Sequence, residues 1–287
     1  MKKTFLKNKK KIQFLIIGLG LIGGSVAKRL SKNGFEVLAI DKNKSHLKYA
    51  KKSKIIVGSS EKTDCEKKLF VIIALPPKIL FRNFDKYLDF FHKAEFVTDC
   101  TSVKGSLLNK IVKNKLESKF ILSHPIAGSE KSGFLNSNED LFKDKISIIS
   151  KHKGLAISTL QKCRELWFEL GSKTHNLEPK LHDKIFSLTS HLPHVVAFSL
   201  ISLLSKRKTS EYKKFIGGGL KDFTRIAESD PKMWENIFSL NKYNLLKDIS
   251  DIEKEIKKIK TFILQDDGSK LEGHLKKIKK PKVSLNR

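Results

Sequence analysis

A chain of 287 residues has room for one large domain or two of ordinary size, and 39% hydrophobic residues suffice for a packed core. The formal net charge of +28 invites a nucleic-acid reading, but only six of the 58 basic residues are arginines, and the lysines run from Lys2 to Lys282 without gathering into a motif. No zinc-finger or aromatic single-strand-binding spacing is present, so a nucleic-acid-associated protein is disfavoured and a lysine-rich solvated surface is left. Three widely spaced cysteines, Cys65, Cys100 and Cys163, give neither a disulfide framework nor a metal site and fit a reducing cytoplasm.

The chain starts with lysines followed by an apolar run, the order of a signal peptide. Four glycines in a fixed rhythm interrupt that order, and the next apolar run ends on an acid, so a folded element is expected instead. Ile12–Ile17 reads as a strand, and Gly18, Gly20 and Gly23 form G-x-G-x-x-G behind it. A helix over Gly24–Ser31 ends near Asn33-Gly34. A second strand, Glu36–Ile40, stops at Asp41, 18 residues beyond Gly23. Such glycines let the backbone turn tightly and approach a pyrophosphate. The helix N-terminus offers free N–H groups, and the acid suits ribose hydroxyls. A dinucleotide site is expected, with Asp41 favouring NAD over NADP. Lys42 and Lys44 soften that preference and leave NADP open.

Further strands are expected at 69–75, 95–100, 119–123 and 145–150, with a helix from about Lys104 and another near 155–170. Alternating strands and helices imply an α/β domain built on a Rossmann-like doubly wound parallel sheet, with ligands beyond the carboxyl ends of the strands. Gly18, Gly20, Gly23, Asp41, Pro76, Ser102 and His124 all follow strand ends and should share one rim. A short strand at about Lys173–Leu177 completes the sheet.

After Glu178-Pro179 the pattern turns helical, which divides the chain into 1–178 and 179–287. The apolar run at 182–206 contains Pro193, expected to kink it and free a carbonyl near Thr189. Gly217, Gly218 and Gly219 suggest a tight backbone passage. Asp230-Pro231 looks like an N-cap with proline at N1, opening a helix to about Leu264. From about residue 266 a basic, frayed tail is expected. No other apolar stretch approaches the ~20 residues of a membrane-spanning helix. An apolar helix at 185–204 calls for burial, in its own subunit or a partner.

Five stretches, "GLGLIGGSVA", "TSVKG", "SHPIAGSE", "LTSHLPHVVAF" and "GGGLKDFTRIAESDPKMW", run in this order from residue 18 to 234. Together they resemble the prephenate/arogenate (cyclohexadienyl) dehydrogenase family of tyrosine biosynthesis. The resemblance implies NAD(P)-dependent oxidative decarboxylation of prephenate to 4-hydroxyphenylpyruvate, or of arogenate to tyrosine, in a cytoplasmic homodimer joined by its all-α C-terminal domain. It implies a catalytic His124 with Ser102 as partner, and a substrate site with His194 and a carboxylate-binding Arg225. A neutral histidine suits the removal of a hydroxyl proton as hydride leaves. An arginine fork suits a carboxylate.

Plainer roles stand beside these. His124 before proline could cap a strand, Ser102 could be a helix N-cap, and Lys104 could be surface charge. Glu130 either gates the site or starts a helix. His191 and His194 lie on one helix face, but with no third ligand motif a hydrogen-bonded core role is expected for His191 rather than a metal site. Another two-domain dehydrogenase, acting on a β-hydroxy acid, is the nearest rival activity.

Overall fold

The structure, a computed structural model, describes residues 5–128, 133–207 and 213–285. Glu130 lies outside them. Ile12–Ile17 is strand β1, buried along all six residues. A strand covered on both faces belongs inside a parallel sheet. Strands β2 (Glu36–Ile40) and β3 (Lys68–Ile73) flank it, and β4 (Phe96–Asp99) and β5 (Phe120–Pro125) follow outward from β3, all parallel. Side chains alternate along β1 and feed two cores. Phe14 and Ile16 join Val26 and Leu30 of α1 (Leu21–Lys32) on one face. Leu15 and Ile17 join Leu80 of α3 (Pro77–Asn83), Phe91 of α4 (Leu88–Lys93) and Leu107 of α5 (Gly105–Lys113) on the other. Helix α2 (Lys44–Lys52) follows β2.

The parallel, doubly wound arrangement holds for β1 to β5. Strand β6 (Ile146–Ser150) pairs antiparallel with β5, and β7 (Lys173–Leu177) lies parallel to β6 through α6 (Ile157–Glu169), so the last two strands run against the rest. A parallel connection needs a crossover, usually a helix. The described part of 126–145 has only a short 3-10 turn, Phe134–Asn136, so the chain re-enters beside β5 from the same end.

Beyond β7 all described elements are helical. Helix α7 (Pro179–Phe186), a π-helical turn (Ser187–His191) and α8 (Leu192–Ser205) form one continuous run. Pro193 sits in the first turn of α8. Its missing N–H would have bonded the Thr189 carbonyl in a regular helix, and the wider π turn absorbs that fault. The run corrects the expected absence of a long apolar segment. At 27 residues it is long and apolar enough to cross a membrane by length and composition, and only 22% of its most apolar window is buried within the chain. Its first turns nonetheless carry Lys180, His182, Asp183 and Lys184.

Helices α9 (Gly218–Ala227), α10 (Pro231–Leu240), α11 (Lys242–Leu264) and α12 (Gly268–Leu285) follow. Asp230 caps α10 by accepting the Met233 N–H at 2.7 Å, as expected. The single helix expected over 231–264 is instead two, because the backbone leaves helical geometry at Asn241 and turns its amide inward. The three glycines at the start of α9, with Gly217 as its N-cap, are not crowded: a Cβ on any of them would meet nothing within 4 Å. The expected frayed tail is helix α12, opened by Asp267, which accepts the Lys270 N–H at 2.9 Å, and packed on α11 through Phe262 and His274.

The helical half docks on the rim of the sheet. Val103, from the loop before α5, is buried with Trp234 and Ile237 of α10. Lys78 at the start of α3 pairs with Glu235. Lys104 is not surface charge: its side chain is fully buried. Its ammonium donates to Asp99 at 2.5 Å, to the Ser123 carbonyl at 2.5 Å and to Thr101 at 3.1 Å, which ties the ends of β4 and β5 together. Removing one member of a buried ion pair strands the other charge, at about 3–5 kcal/mol. Lys104→Ala should therefore lower unfolding stability by about that amount in urea titrations. A loss below about 1 kcal/mol would show that Asp99 is not held by charge.

Candidate active site

The fingerprint glycines form a cradle whose shape follows from contact distances. Gly18 has φ +100°, and a Cβ there would lie 2.6 Å from the Ala74 carbonyl oxygen after β3. A Cβ on Gly23 would lie 1.8 Å from the Gly18 carbonyl oxygen, so α1 and β1 meet at a distance only glycine permits. Gly20, at the N-cap of α1, faces open space, with nothing within 4 Å of a built Cβ. That opening lies over the free N–H groups of the helix, the place for a diphosphate. Asp41, one residue past β2, is fixed by accepting the N–H groups of Leu19 at 2.6 Å and Asn43 at 2.7 Å. Each oxygen keeps lone-pair capacity for a ribose hydroxyl. Pro76 caps α3 at the end of β3, on the same rim.

His124 lies near the end of β5, paired in register with Ile148 of β6. It does not merely cap the strand. Its Nδ1 is 2.9 Å from Nε2 of His182, whose own Nδ1 is 2.9 Å from Oδ1 of Asp183. Phe186, one turn beyond His182 on α7, packs against both rings, with centroids at 4.8 Å and 4.5 Å. Burial, then the Lys104 ammonium, holds His124 well below its ordinary value of 6.5. Burial likewise lowers His182, against the opposing pull of Asp183. Both imidazoles are therefore neutral at neutral pH, the state of a proton acceptor.

Asp183 also reaches across the domain joint. Its carboxylate accepts the N–H of Lys104 and of Gly105, each at 2.8 Å, and so caps α5. Ser102 is not the cap of that helix. It sits half-buried in the loop between β4 and α5, and its hydroxyl has no hydrogen-bond partner among the described residues. The imidazole of His124 is held by His182 rather than by Ser102.

Asn241 continues the network by donating from its amide nitrogen to the Asp183 carbonyl at 2.7 Å and approaching Nδ1 of His191 at 3.1 Å. His191 is thus a hydrogen-bonded core histidine, as expected. His194 stacks on Trp234 at 3.5 Å, and its Nδ1 meets the Ser190 carbonyl at 2.8 Å, which leaves Nε2 open. Arg225 belongs to a different helix from these histidines. It lies exposed on α9, at the wall of a depression of about 490 Å³ shared with Ile216, Lys221, Thr224 and Glu228. Sequence reasoning missed His182, Asp183 and Asn241. The adjacent His182-Asp183 pair just after a helix-opening proline was the available signal.

Burial also lowers His191 to about 4, with Asp183 opposing the shift. As pH falls through 6.5 the unfolded chain takes up this proton while the folded protein does not, until about pH 4. The stability tied to neutral His191 is thus complete above pH 6.5 and lost between pH 6.5 and 4, on the order of 3 kcal/mol. Thermal unfolding should show a falling Tm across that window, and His191→Gln should flatten the fall. An unchanged profile in the variant would contradict this linkage.

Residues 26–176 match the family described as "Prephenate dehydrogenase, nucleotide-binding domain", and residues 178–277 match "Prephenate dehydrogenase, dimerization domain". The prephenate dehydrogenase of Bacillus subtilis is 30% identical over 282 residues, covering 95% of this chain and 76% of that one. The cyclohexadienyl dehydrogenase of Zymomonas mobilis is 27% identical over 94% of each chain. Among solved structures, prephenate dehydrogenase from Aquifex aeolicus in complex with hydroxyphenyl propionate and NAD+ superposes with a TM-score of 0.83 at 34% identity, over 96% of this chain and 98% of that one. With both halves matched in order and the fold shared along its length, the chain belongs to the prephenate dehydrogenase family.

Proposed function

We propose that the protein is an NAD-dependent prephenate dehydrogenase in which His124 is the general base. The observation that carries this reading is a neutral, half-buried histidine near the end of β5, with its Nδ1 engaged, on the rim that also holds the dinucleotide cradle. NAD+, when bound, supplies the hydride acceptor. Nε2 of His124 takes the proton of the ring hydroxyl as hydride departs from the same carbon. Loss of CO2 from the opposite ring carbon then makes the ring aromatic, and the proton returns to the phenolate oxygen or passes to solvent. The hydroxyl of Ser102 is free to share the hydrogen bond to the substrate hydroxyl. Nε2 of His194 and the fork of Arg225 are assigned to the rest of the substrate, Arg225 to a carboxylate. Asp41 favours NAD+ because a 2′-phosphate would meet its charge.

The domain boundary is placed at 178/179, where the sheet ends. The helical domain joins two copies. Helices α8, α10 and α11 wall an apolar hollow of about 440 Å³ lined by Val195, Phe198, Phe238, Leu245, Leu246 and Ile249. Apolar surface of this kind, on a helix run left mostly uncovered in one chain, is what a second copy would bury. The free cysteines fit a cytoplasmic enzyme.

Spectrophotometry of NADH formation with prephenate or arogenate, and NAD+ or NADP+, tests the reading. Prephenate with NAD+ should give the highest kcat/KM. Turnover of neither ring substrate would refute the function, and a higher kcat/KM with NADP+ would refute the role of Asp41. His124→Asn should lower kcat by about 10²–10⁴-fold with little change in KM. In the wild type, kcat/KM should fall on the acid side only below pH 6.5, because His124 is protonated only there. A variant keeping more than about half of the wild-type kcat would make His124 structural.

Arg225→Ala should raise the substrate KM by roughly 30-fold or more, since leaving a carboxylate unmatched costs about 2–5 kcal/mol. NAD+ affinity should stay near wild type. Loss of NAD+ binding with unchanged substrate KM would move Arg225 out of the substrate site.

A further inference from the structure

We infer that Asp183 and His182 are positioning residues that fix His124 in the one tautomer able to act as a base, and that they act from the far side of the domain joint. The inference rests on His124 being the base. It follows from counting hydrogens. The backbone N–H groups of Lys104 and Gly105 can only donate, and they take one oxygen each of the Asp183 carboxylate. Asp183 therefore presents acceptors alone, and the nitrogen facing it, Nδ1 of His182, carries the proton. A neutral His182 then has a bare Nε2. The nitrogen facing that lone pair, Nδ1 of His124, must be the donor. Nε2 of His124 is left with its lone pair. Each link leaves the next a single choice, and the last choice is the catalytic one.

The chain also meets the demand of the reaction. When Nε2 accepts a proton, positive charge spreads to Nδ1–H, which rests on His182, whose own N–H rests on a carboxylate. The buried ammonium of Lys104 makes positive charge on His124 costly, and the relay offsets part of that cost. His182 and Asp183 belong to α7, in the helical half, whereas His124 and the α5 N-terminus belong to the sheet half. The base is thus set only when the two halves are docked.

Nitrogen-15 NMR of the full-length protein with labelled histidine, with NAD+ present, reads the tautomers directly. Both His124 and His182 should be protonated at Nδ1 and bare at Nε2. A proton on Nε2 of His124 in the resting enzyme would overturn the inference, and this measurement needs no variant. Kinetics supply the second arm. His182→Leu removes the acceptor and should lower kcat about 10- to 100-fold, with NAD+ affinity and substrate KM within about twofold. His182→Gln places an amide oxygen near the position of Nε2 and should recover most of the lost kcat. Equal loss in both variants, or loss in neither, would contradict the relay. His124→Asn separates the two claims: if it is inactive while His182→Leu is unaffected, the relay fails and the base stands. If His124→Asn keeps its kcat, the base assignment itself fails.

Discussion

The Asp183 carboxylate is the interaction on which the rest depends. It accepts two backbone N–H groups at the start of α5 and one imidazole N–H from its own neighbour, His182. A helix start normally finds its cap in the preceding few residues. Here the N-cap residue, Lys104, makes no side-chain cap, and the cap comes from 79 residues further along the chain. Docking of the helical half therefore satisfies donors that the sheet half leaves open, and the same contact fixes the histidine pair. Stability of the joint and readiness of the base share one group.

Electrostatics around that group are balanced rather than simply basic. The chain carries +28 overall, yet the one fully buried lysine at the site is matched by Asp99 and two oxygen acceptors. Burial, and after it the charge of that ammonium, keeps His124 from becoming charged at rest. The distributed surface lysines bear on solubility and long-range attraction of anions, not on the local proton chemistry.

Much of this architecture was legible in the sequence. The glycine rhythm, the strand runs and Asp41 follow from local rules, since a fingerprint loop is a short-range device and its glycines are dictated by contacts within one strand–turn–helix unit. The reversal of β6 was not legible, because strand direction depends on how the chain returns, and the 126–145 stretch has no pattern that says so. The break at Asn241 was hidden for a similar reason. Its amide is recruited by the Asp183 carbonyl and approaches His191, and helical periodicity on either side carries no trace of that. Lys104 was misread because a lysine in a lysine-rich chain looks like surface. The tail was misread because its charge outweighed the Asp267 cap and the helical spacing behind it. At the site, His124 was found through its motif and strand end, whereas His182 and Asp183 act through contacts about 60 and 80 residues away in sequence.

The most direct measurement of the central claim is a crystal structure of the protein with NAD+ and a substrate analogue that keeps the ring hydroxyl. The account predicts Nε2 of His124 within about 3.2 Å of that hydroxyl oxygen, on the face away from His182, with Nδ1 still bonded to His182. A hydroxyl bound out of reach of His124, with Nε2 turned toward the protein interior, would contradict it.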